Sequence, residues 1–230
     1  MPEAKANCLE CGVEILATTV AKTGGKCIPC DRGTRAQMEE SKKWNAEDRR
    51  RRKINGSARE RILQKPRPEL GDFLAEEDPL GVLWPVIVHT VFPKPERRER
   101  IEALGRAARV IYLVECLAGE VINGGFHQYF SNSSGEHANE AHRALLEVGA
   151  VERAKLLGRA MGAFAGGRVP TDRTERYEEV EAADKRRPGF LDGLDSEFYA
   201  LDAGAPAVED LGELLLAFIG LNAKEPVAAA

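Results

Sequence analysis

The centre of the chain carries the stretch Glu120-Val121-Ile122-Asn123-Gly124-Gly125-Phe126-His127-Gln128-Tyr129-Phe130-Ser131-Asn132-Ser133-Ser134-Gly135. Two adjacent glycines end an apolar helical pattern here, and glycine lets the backbone turn sharply or approach a neighbouring element. Three aromatic residues then return bulk to the core, at Phe126, Tyr129 and Phe130. Three amides can satisfy the backbone groups that the turn frees, at Asn123, Gln128 and Asn132. The stretch therefore predicts a bend beside a buried helix.

Helical periodicity extends on both sides of this bend. Residues 96–122 predict the most hydrophobic and central helix. Ser134 is expected to cap the next helix, and Asp172 with Glu175 to cap a later one. Helices are predicted over residues 80–92, 96–122, 135–148, 151–165, 172–187, 190–201 and 211–219. Six to seven packed helices with short connections indicate an all-α main domain over residues 69–224, with a flexible tail at 225–230.

The motif Asn-Gly-Gly-Phe-x-Gln-Tyr-Phe-x-Asn-x-Ser-Gly resembles the signature of the bacterial DNA-mimic-protein-like family, and the similarity covers roughly residues 75–220. The resemblance implies an all-α fold. In the best-known type of member, it also implies an acidic surface that imitates DNA phosphates and occupies a DNA-binding protein. It implies no catalytic residues, and the motif residues are interpreted as structural. They are Asn123, Gly124, Gly125, Phe126, Gln128, Tyr129, Phe130, Asn132, Ser134 and Gly135.

Four cysteines near the start form two Cys-x-x-Cys pairs separated by fifteen residues: Cys8, Cys11, Cys27 and Cys30. Two such pairs can offer four thiolates to one tetrahedral ion, which predicts a zinc ribbon over residues 1–34. Short strands are expected around Ile15–Val20 and at the second pair. Because all four ligands are cysteine, the Zn2+ is expected to be structural. A thioredoxin-like redox pair is the alternative, but no βαβ pattern surrounds the cysteines.

A basic, partly helical linker is predicted over residues 35–68, with the helix ending or interrupted near Asn55-Gly56. Five adjacent cations are candidate phosphate contacts: Arg49, Arg50, Arg51, Arg52 and Lys53. Beside a zinc ribbon, such a run can displace counterions from nucleic acid. A solvated linker helix is the simpler interpretation. Lys65-Pro66-Arg67-Pro68 marks the expected domain boundary.

Charge separates the two parts of the chain. Residues 1–68 carry a net charge of +7 and residues 69–230 one of −11. A candidate acidic face is formed by carboxylates at helical spacings: Glu175, Glu178, Glu179, Glu181 and Asp184. A DNA mimic needs dense carboxylates because duplex DNA carries one charge per about 1.7 Å. Lys185, Arg186 and Arg187 follow directly and do not fit that picture.

No apolar run reaches the length of a membrane helix, and the N-terminus lacks the pattern of a signal peptide, so a cytoplasmic protein is expected.

Two residues of the central helix also carry predictions. Glu115 is expected to bond to a neighbouring helix, with an acid–base role as the alternative, and Cys116 is expected to be a small buried hydrophobe.

No nucleophile–base pair, phosphate loop or open metal site is evident, which favours a non-catalytic role. The sequence predicts an interaction protein with a structural zinc ribbon, whose acidic helical domain binds a basic partner; DNA mimicry toward a DNA-binding protein is one mode of such binding. The alternative is a nucleic-acid-binding protein that uses the zinc ribbon and the basic linker, with the helical domain as a regulatory or dimerisation unit.

Overall fold

The computed structural model describes residues 5–91, 97–203 and 207–228. Its contacts divide the chain into two units, Met1–Ser57 and Ala58–Ala230. The predicted fold class is confirmed, because the main part is helical and a small two-stranded sheet lies near the N-terminus beside the four cysteines. The finer domain bounds drawn from the sequence stay predictions.

The N-terminal unit begins with an antiparallel pair of strands, β1 (Lys5–Asn7) and β2 (Glu14–Leu16). Helix α1 (Ala17–Thr23) follows, and the helical turn α2 (Ile28–Asp31) carries part of the second cysteine pair. The buried cluster of this unit consists of Cys8, Cys27 and Cys30, against which Cys11 and Ile15 pack. Its core is therefore built around the sulfur atoms.

The strands lie earlier in the chain than the sequence predicts. The β-favouring residues 18–20 are helical, and Cys27-Ile28-Pro29-Cys30 forms a turn of helix instead of a strand. Pro29 suits that turn, because its fixed φ and missing N–H are tolerated at the start of a helix. β-propensity depends on packing partners, and so small a unit supplies few of them.

Helix α3 (Arg35–Leu63) runs without interruption through Asn55-Gly56, where an end or a break was expected. A glycine inside a helix costs about 1 kcal/mol relative to alanine, which is too little to stop a helix of this length. Ion pairs one turn apart support it, including Arg35–Glu39 and Arg52–Asp48. Only near its end does α3 contribute buried residues, Ala58 and Ile62.

The larger unit is a bundle of short helices around one long one. Within the described residues its α-helices are α4 (Pro79–Val91), α5 (Arg97–Glu102), α6 (Arg106–Ser131), α7 (Ala138–Val148), α8 (Val151–Met161), α9 (Arg173–Arg186), α10 (Phe190–Ala200) and α11 (Leu211–Leu221). Short 3-10 helices span Leu70–Asp72, Ser133–His137 and Ala165–Gly167. No helix in the described residues is long and apolar enough to cross a bilayer.

Helix α6 is the centre of this unit, and α4, α7, α9 and α10 pack around it. The predicted bend is present: Gly124 has φ −166° and ψ 27°, and Gly125 has φ 75° and ψ −179°. Beyond the bend the helix continues to Ser131, and Phe126, Tyr129 and Phe130 are buried. Phe130 meets the ring of Phe164 edge to face, with 4.8 Å between centroids.

Several boundaries differ from the sequence prediction for a physical reason. The helix expected over 96–122 is divided near Gly105, where the C-terminal segment crosses; a side chain at 105 would overlap the carbonyl of Pro226, so this crossing requires a glycine. Helix α7 begins at Ala138, so Ser134 lies in the preceding 3-10 helix and does not cap it. Helix α8 ends at Met161, four residues before the predicted end.

The flexible tail expected from residue 225 is ordered through residue 228. Gly105 N–H donates to Val227 O at 2.9 Å, and Val227 N–H donates to Pro68 O at 3.0 Å. The Val227 side chain is buried. One helix is predicted to end at residue 92 and the next to begin at residue 96, and both positions lie outside the described residues. The last two residues of the expected tail, 229 and 230, lie outside them as well.

Candidate functional site

The four cysteines of the N-terminal unit converge on one point. Their Sγ atoms all lie within 4.8 Å of one another, and Cys11 Sγ is 3.7 Å from Cys27 Sγ. Tetrahedral Zn–S bonds of about 2.3 Å imply a sulfur–sulfur distance of about 3.8 Å. Cys8, Cys27 and Cys30 are buried, and Cys11 is half-buried. The donor set and its spacing therefore fit a tetrahedral metal ion.

Backbone geometry prepares the sulfur atoms for ligation. Gly12, at φ 72°, closes the first loop by donating its N–H to Cys8 O. Cys27 N–H donates to Cys8 Sγ at 3.1 Å, and this bond, with weaker contributions from Cys11 and Glu10, outweighs burial and lowers the pKa of the Cys8 thiol to about 6. Burial instead raises the pKa of the Cys30 thiol. A bound cation would favour the thiolate form of all four cysteines.

Four of the five predicted acidic-face residues form an oblique row on α9, spaced three residues apart: Glu175, Glu178, Glu181 and Asp184. We call this set the acidic row. Glu175, Glu178 and Asp184 are exposed, whereas Glu181 is half-buried and lies 2.9 Å from His127 Nε2. Glu179 falls outside this three-residue spacing, and its carboxylate accepts the Ala165 N–H.

Most other carboxylates between residues 195 and 210 are used inside the larger unit. Asp195 accepts the Phe126 N–H at 2.8 Å, and Asp210 caps α11 through the Glu213 N–H. The remaining pairs are Glu197 with Arg159, and Asp202 and Glu209 with the buried Arg153. The net negative charge of the larger unit therefore suggests more unpaired surface carboxylates than this part of the structure contains.

The cations that follow the acidic row are partly engaged as well. Arg186 donates to Ala163 O at 3.1 Å, and the Arg187 guanidinium lies 3.7 Å from the centre of the Phe190 ring. Lys185 remains exposed. The row therefore faces solvent beside a single exposed lysine and two arginines that have partners within the unit.

The basic run on α3 divides into paired and unpaired cations. Arg51 and Arg52 both contact Asp48, at 3.2 and 2.8 Å. Among the described residues, the following exposed cations of α3 have no ion-pair partner: Lys43, Arg49, Arg50 and Lys53. At 3.6 residues per turn, Arg49 and Lys53 lie within about 40° around the helix axis. The unpaired cations therefore share one side of the helix.

The family motif is held together by Glu120, whose role as an acceptor for the motif's side chains was not inferred from the sequence. Its carboxylate accepts from Gln128 Nε2 at 2.7 Å, Asn132 Nδ2 at 2.7 Å and Ser134 Oγ at 3.0 Å. The glutamate lies one turn before the bend and its donors lie after it, so the bonds fasten the two arms. Asn123 is exposed.

A buried arginine, also missed from the sequence, fixes the start of α9. The Arg176 side chain is fully buried and donates to five backbone carbonyls, those of Phe130, Asn132, Pro170, Thr171 and Asp172. These carbonyls belong to the end of α6 and to the loop that precedes α9. The predicted Asp172 cap is present, with Glu175 N–H donating to Asp172 Oδ1.

Glu115 lacks the neighbour that the sequence prediction gave it. Among the described residues its carboxylate has neither a hydrogen-bond nor an ion-pair partner, and burial raises its pKa. It lines a cavity of about 230 Å³ between α4 and α6. Cys116, the next residue, was expected to be buried; it is half-buried and packs against the core.

Residues 102–222, more than half of the chain, match the DMP19-like protein family. The chain belongs to this family. The matched span begins just before α6, contains the glycine bend and ends after α11, so it covers most of the larger unit. The DMP19-like family is of the DNA-mimic type, which supports a non-catalytic interaction role at the level of the family. Searches of curated proteins and of solved structures gave no match.

Proposed function

We propose that this DMP19-like protein is a non-catalytic interaction protein whose helical unit binds a basic, DNA-binding protein by imitating phosphates. The acidic row carries this proposal. Residues three apart on a helix are separated by about 4.5 Å along its axis. Phosphates of one strand of duplex DNA follow one another every 3.4 Å or so along that axis. The axial spacing of the row is therefore of the same order as that of the phosphates on one strand, although the row turns by about 60° per step and winds around half of the helix.

The rigidity of the row supports the same function. Arg176 and the Asp172 cap anchor the first turn of α9, and the buried Val180 and Ala183 hold the side of the helix that faces away from Glu178. A fixed set of carboxylates attracts a basic groove through steered association. Because the attraction is electrostatic, it should weaken as salt concentration rises.

The test compares two variants of equal charge change in the full-length protein. Glu175→Gln, Glu178→Gln and Asp184→Asn together remove three charges from the acidic row. Glu77→Gln, Asp192→Asn and Glu213→Gln remove three exposed carboxylates from elsewhere. Each protein is used to capture partners from extract of the source cells, and the retained proteins are identified by mass spectrometry.

We expect wild type and the control to retain a basic protein that the row variant releases. Added duplex DNA should displace this protein, because DNA and the row would occupy the same groove. Retention that survives excess DNA would contradict mimicry while leaving the interaction in place. Equal retention by the row variant and the control would remove α9 as the contact.

For the N-terminal unit we propose a structural Zn2+ ion held by Cys8, Cys11, Cys27 and Cys30. Four thiolates fill a tetrahedral shell, so no position is left open for water or substrate. The unit has little apolar core besides these sulfur atoms, and metal ligation would supply the folding energy that packing does not. A reducing compartment such as the cytoplasm would keep the thiols available.

A second candidate function is nucleic-acid binding through α3. The observation that favours it is the side of the helix on which Lys43, Arg49, Arg50 and Lys53 are exposed and unpaired. Unpaired cations can displace counterions from phosphates without first breaking an ion pair. This function would use the N-terminal unit and leave the acidic row free.

Matched double variants test this second function with labelled duplex DNA and RNA. Arg49→Gln with Arg50→Gln should weaken binding and reduce the slope of log affinity against log salt by about 1.8, or about 0.9 per phosphate contact. Arg51→Gln with Arg52→Gln should have a smaller effect, because both cations contact Asp48, whose carboxylate offsets one of their two charges. Equal effects would show that only net charge matters.

A further inference from the structure

The cavity between α4 and α6 has an unusual composition for a surface pocket. Its walls are apolar and aromatic apart from one carboxylate, and its lining residues are Leu80, Gly81, Leu83, Trp84, Ile111 and Glu115. Leu83 and Ile111 are fully buried and form its floor, whereas Trp84 and Glu115 are half-buried at its edge. The pocket thus combines a hydrocarbon surface with a negative charge.

The Glu115 carboxylate is not compensated by the protein. It has no hydrogen-bond or ion-pair partner in the described part of the chain, and its pKa is raised by burial alone. A partly buried carboxylate without a partner carries a desolvation cost that a cation can offset. The neighbouring carboxylates of the unit are mostly paired, as with Glu120, Glu140 and Glu197.

The Trp84 ring provides the second recognition element. It stacks on the buried Tyr112 ring, with 6.0 Å between centroids and 25° between planes, which fixes its orientation. Indole is the strongest partner for cations among aromatic side chains, and a planar guanidinium can stack on it. A guanidinium can also form two parallel bonds to a carboxylate, which an ammonium cannot.

Cavity size limits the occupant. At about 230 Å³ the space is smaller than the roughly 300–1,000 Å³ of sites that enclose a whole small-molecule ligand. It suits a single side chain with a hydrocarbon stem that contacts Leu80 and Leu83. Charge and size together favour arginine, whose stem is apolar and whose head is always cationic.

We propose that the pocket formed by Trp84 and Glu115 binds an arginine side chain of a protein partner. The role of this arginine rests on the basic partner proposed above, because that protein would supply it. The pocket adds a specific anchor to the electrostatic attraction of the acidic row. Buried arginine anchors often dominate the energy of protein interfaces.

Binding can be measured without knowing the partner. The chain contains two tryptophans, so Trp44→Phe leaves Trp84 as the only indole reporter. N-acetyl-arginine amide is titrated into this full-length variant while Trp84 fluorescence is recorded. N-acetyl-citrulline amide, its uncharged isostere, is the ligand control. We expect a saturable change with arginine and at least tenfold weaker binding of citrulline.

Two further variants in the Trp44→Phe background assign the charge. Glu115→Gln should weaken arginine binding at least tenfold, whereas Asp192→Asn, which neutralises an exposed carboxylate elsewhere, should leave it unchanged. Equal binding of arginine and citrulline would overturn the proposal, as would equal effects of the two substitutions. If Glu115→Gln does not fold, as judged by circular dichroism, the citrulline comparison decides alone.

The outcome is separable from that of the capture experiment. Arginine binding without retention of a basic protein would leave the pocket standing and contradict the proposed function. Retention of such a protein without arginine binding would support the proposed function and contradict the arginine pocket.

Discussion

At the residue scale, the family motif is explained by one acceptor. The Glu120 carboxylate accepts hydrogen bonds from the side-chain amides of Gln128 and Asn132 and from the hydroxyl of Ser134. Hydrogen bonding across the bend therefore accounts for three of the four polar positions of the motif, Asn123 being exposed, and packing accounts for the aromatic positions. Hydrogen bonds to a charged group are stronger than those between neutral groups.

Replacing Glu120 should therefore destabilise the helical unit. Glu120→Ala leaves three donors without their acceptor, and we expect the free energy of unfolding to fall by about 2–3 kcal/mol. Urea denaturation followed by circular dichroism measures the change. Asn123→Ala is the matched control, because Asn123 is an exposed residue of the same motif, and its effect should stay within about 0.5 kcal/mol. A similar loss in both variants would argue against the acceptor role.

The cysteines yield a second prediction at this scale. We expect one zinc ion per chain by atomic emission, and Cys27→Ser should abolish it, because three sulfur ligands no longer complete the shell. Cys116→Ser is the control, since this cysteine lies in α6, outside the four-cysteine cluster. Zinc content that survives Cys27→Ser, or that falls equally in the control, would contradict the assigned ligands.

At the scale of elements, the decisive feature is the bend in α6. Gly125 has a positive φ, and the Asp195 carboxylate sits where its side chain would be, bonded to the Phe126 N–H. The carboxylate acts as a cap for the second arm of the helix, supplied from α10. The bend thus needs a glycine for two reasons, backbone conformation and the close approach of a neighbour.

Two alanine substitutions in the same helix should have opposite signs. Gly125→Ala forces an unfavourable φ and displaces Asp195, so we expect a loss of more than about 2 kcal/mol. Gly119→Ala meets open space in regular helix and should add about 0.5–1 kcal/mol. Thermal and urea unfolding measure both. Tolerance of alanine at 125 would mean that the bend can relax.

The helices show what can be inferred from the sequence. The apolar stripes of α6 and α11, and the Asp172 cap, depend on residues three or four apart, so local spacing was sufficient to predict them. The bonds from Asp195 to Phe126 and from Arg153 to Glu209 join residues more than fifty positions apart. No local pattern encodes such pairs. The strands of the N-terminal unit were misplaced because so few residues surround them.

The same limit applies to the candidate sites. The cysteine pairs were recognisable because metal ligation requires a short and regular spacing. Spacing alone indicated the five carboxylates of the acidic face, whereas only the fold shows that Glu179 accepts the Ala165 N–H; the role of this face stays a prediction. The pocket that contains Trp84 and Glu115 is lined by residues of two helices. That no cation of the described residues pairs with Glu115 can be seen only once the fold is known.

At the scale of the whole molecule, the C-terminal segment closes the larger unit. Glu225 accepts from Arg106 and from the Ala107 N–H, while residues 226–228 bond to Pro68 and Gly105 or pair with Leu104. Burial opposes ionisation of Glu225, but the bonds from Arg106 and Ala107 outweigh it and lower its pKa. The ionised form of this carboxylate therefore adds to the backbone bonds and the buried Val227 side chain that hold the segment.

The pH dependence of stability follows from this lowered pKa. A carboxyl group whose pKa is lower in the folded state stabilises the protein above the unfolded pKa, and this contribution is lost as pH falls through the folded pKa. Glu225→Gln should therefore be less stable than wild type at pH 7, with a difference that shrinks below about pH 4.5. Urea unfolding from pH 3 to 7 measures it.

Glu77→Gln provides the reference for this series, because Glu77 is exposed. Its stability should follow that of wild type across the whole range. A difference between Glu225→Gln and wild type that is constant with pH would show that the side chain acts through shape and not through its charge.

The five carbonyls held by Arg176 have a consequence for recognition. A single guanidinium locks the entrance of α9 to the end of α6, so the helix cannot swing or fray at the turn where its carboxylates begin. The spacing of the acidic row along α9 is therefore set by the folded protein itself. If the acidic row binds a basic protein, as proposed above, association need not order the backbone of α9, and only the exposed side chains lose freedom.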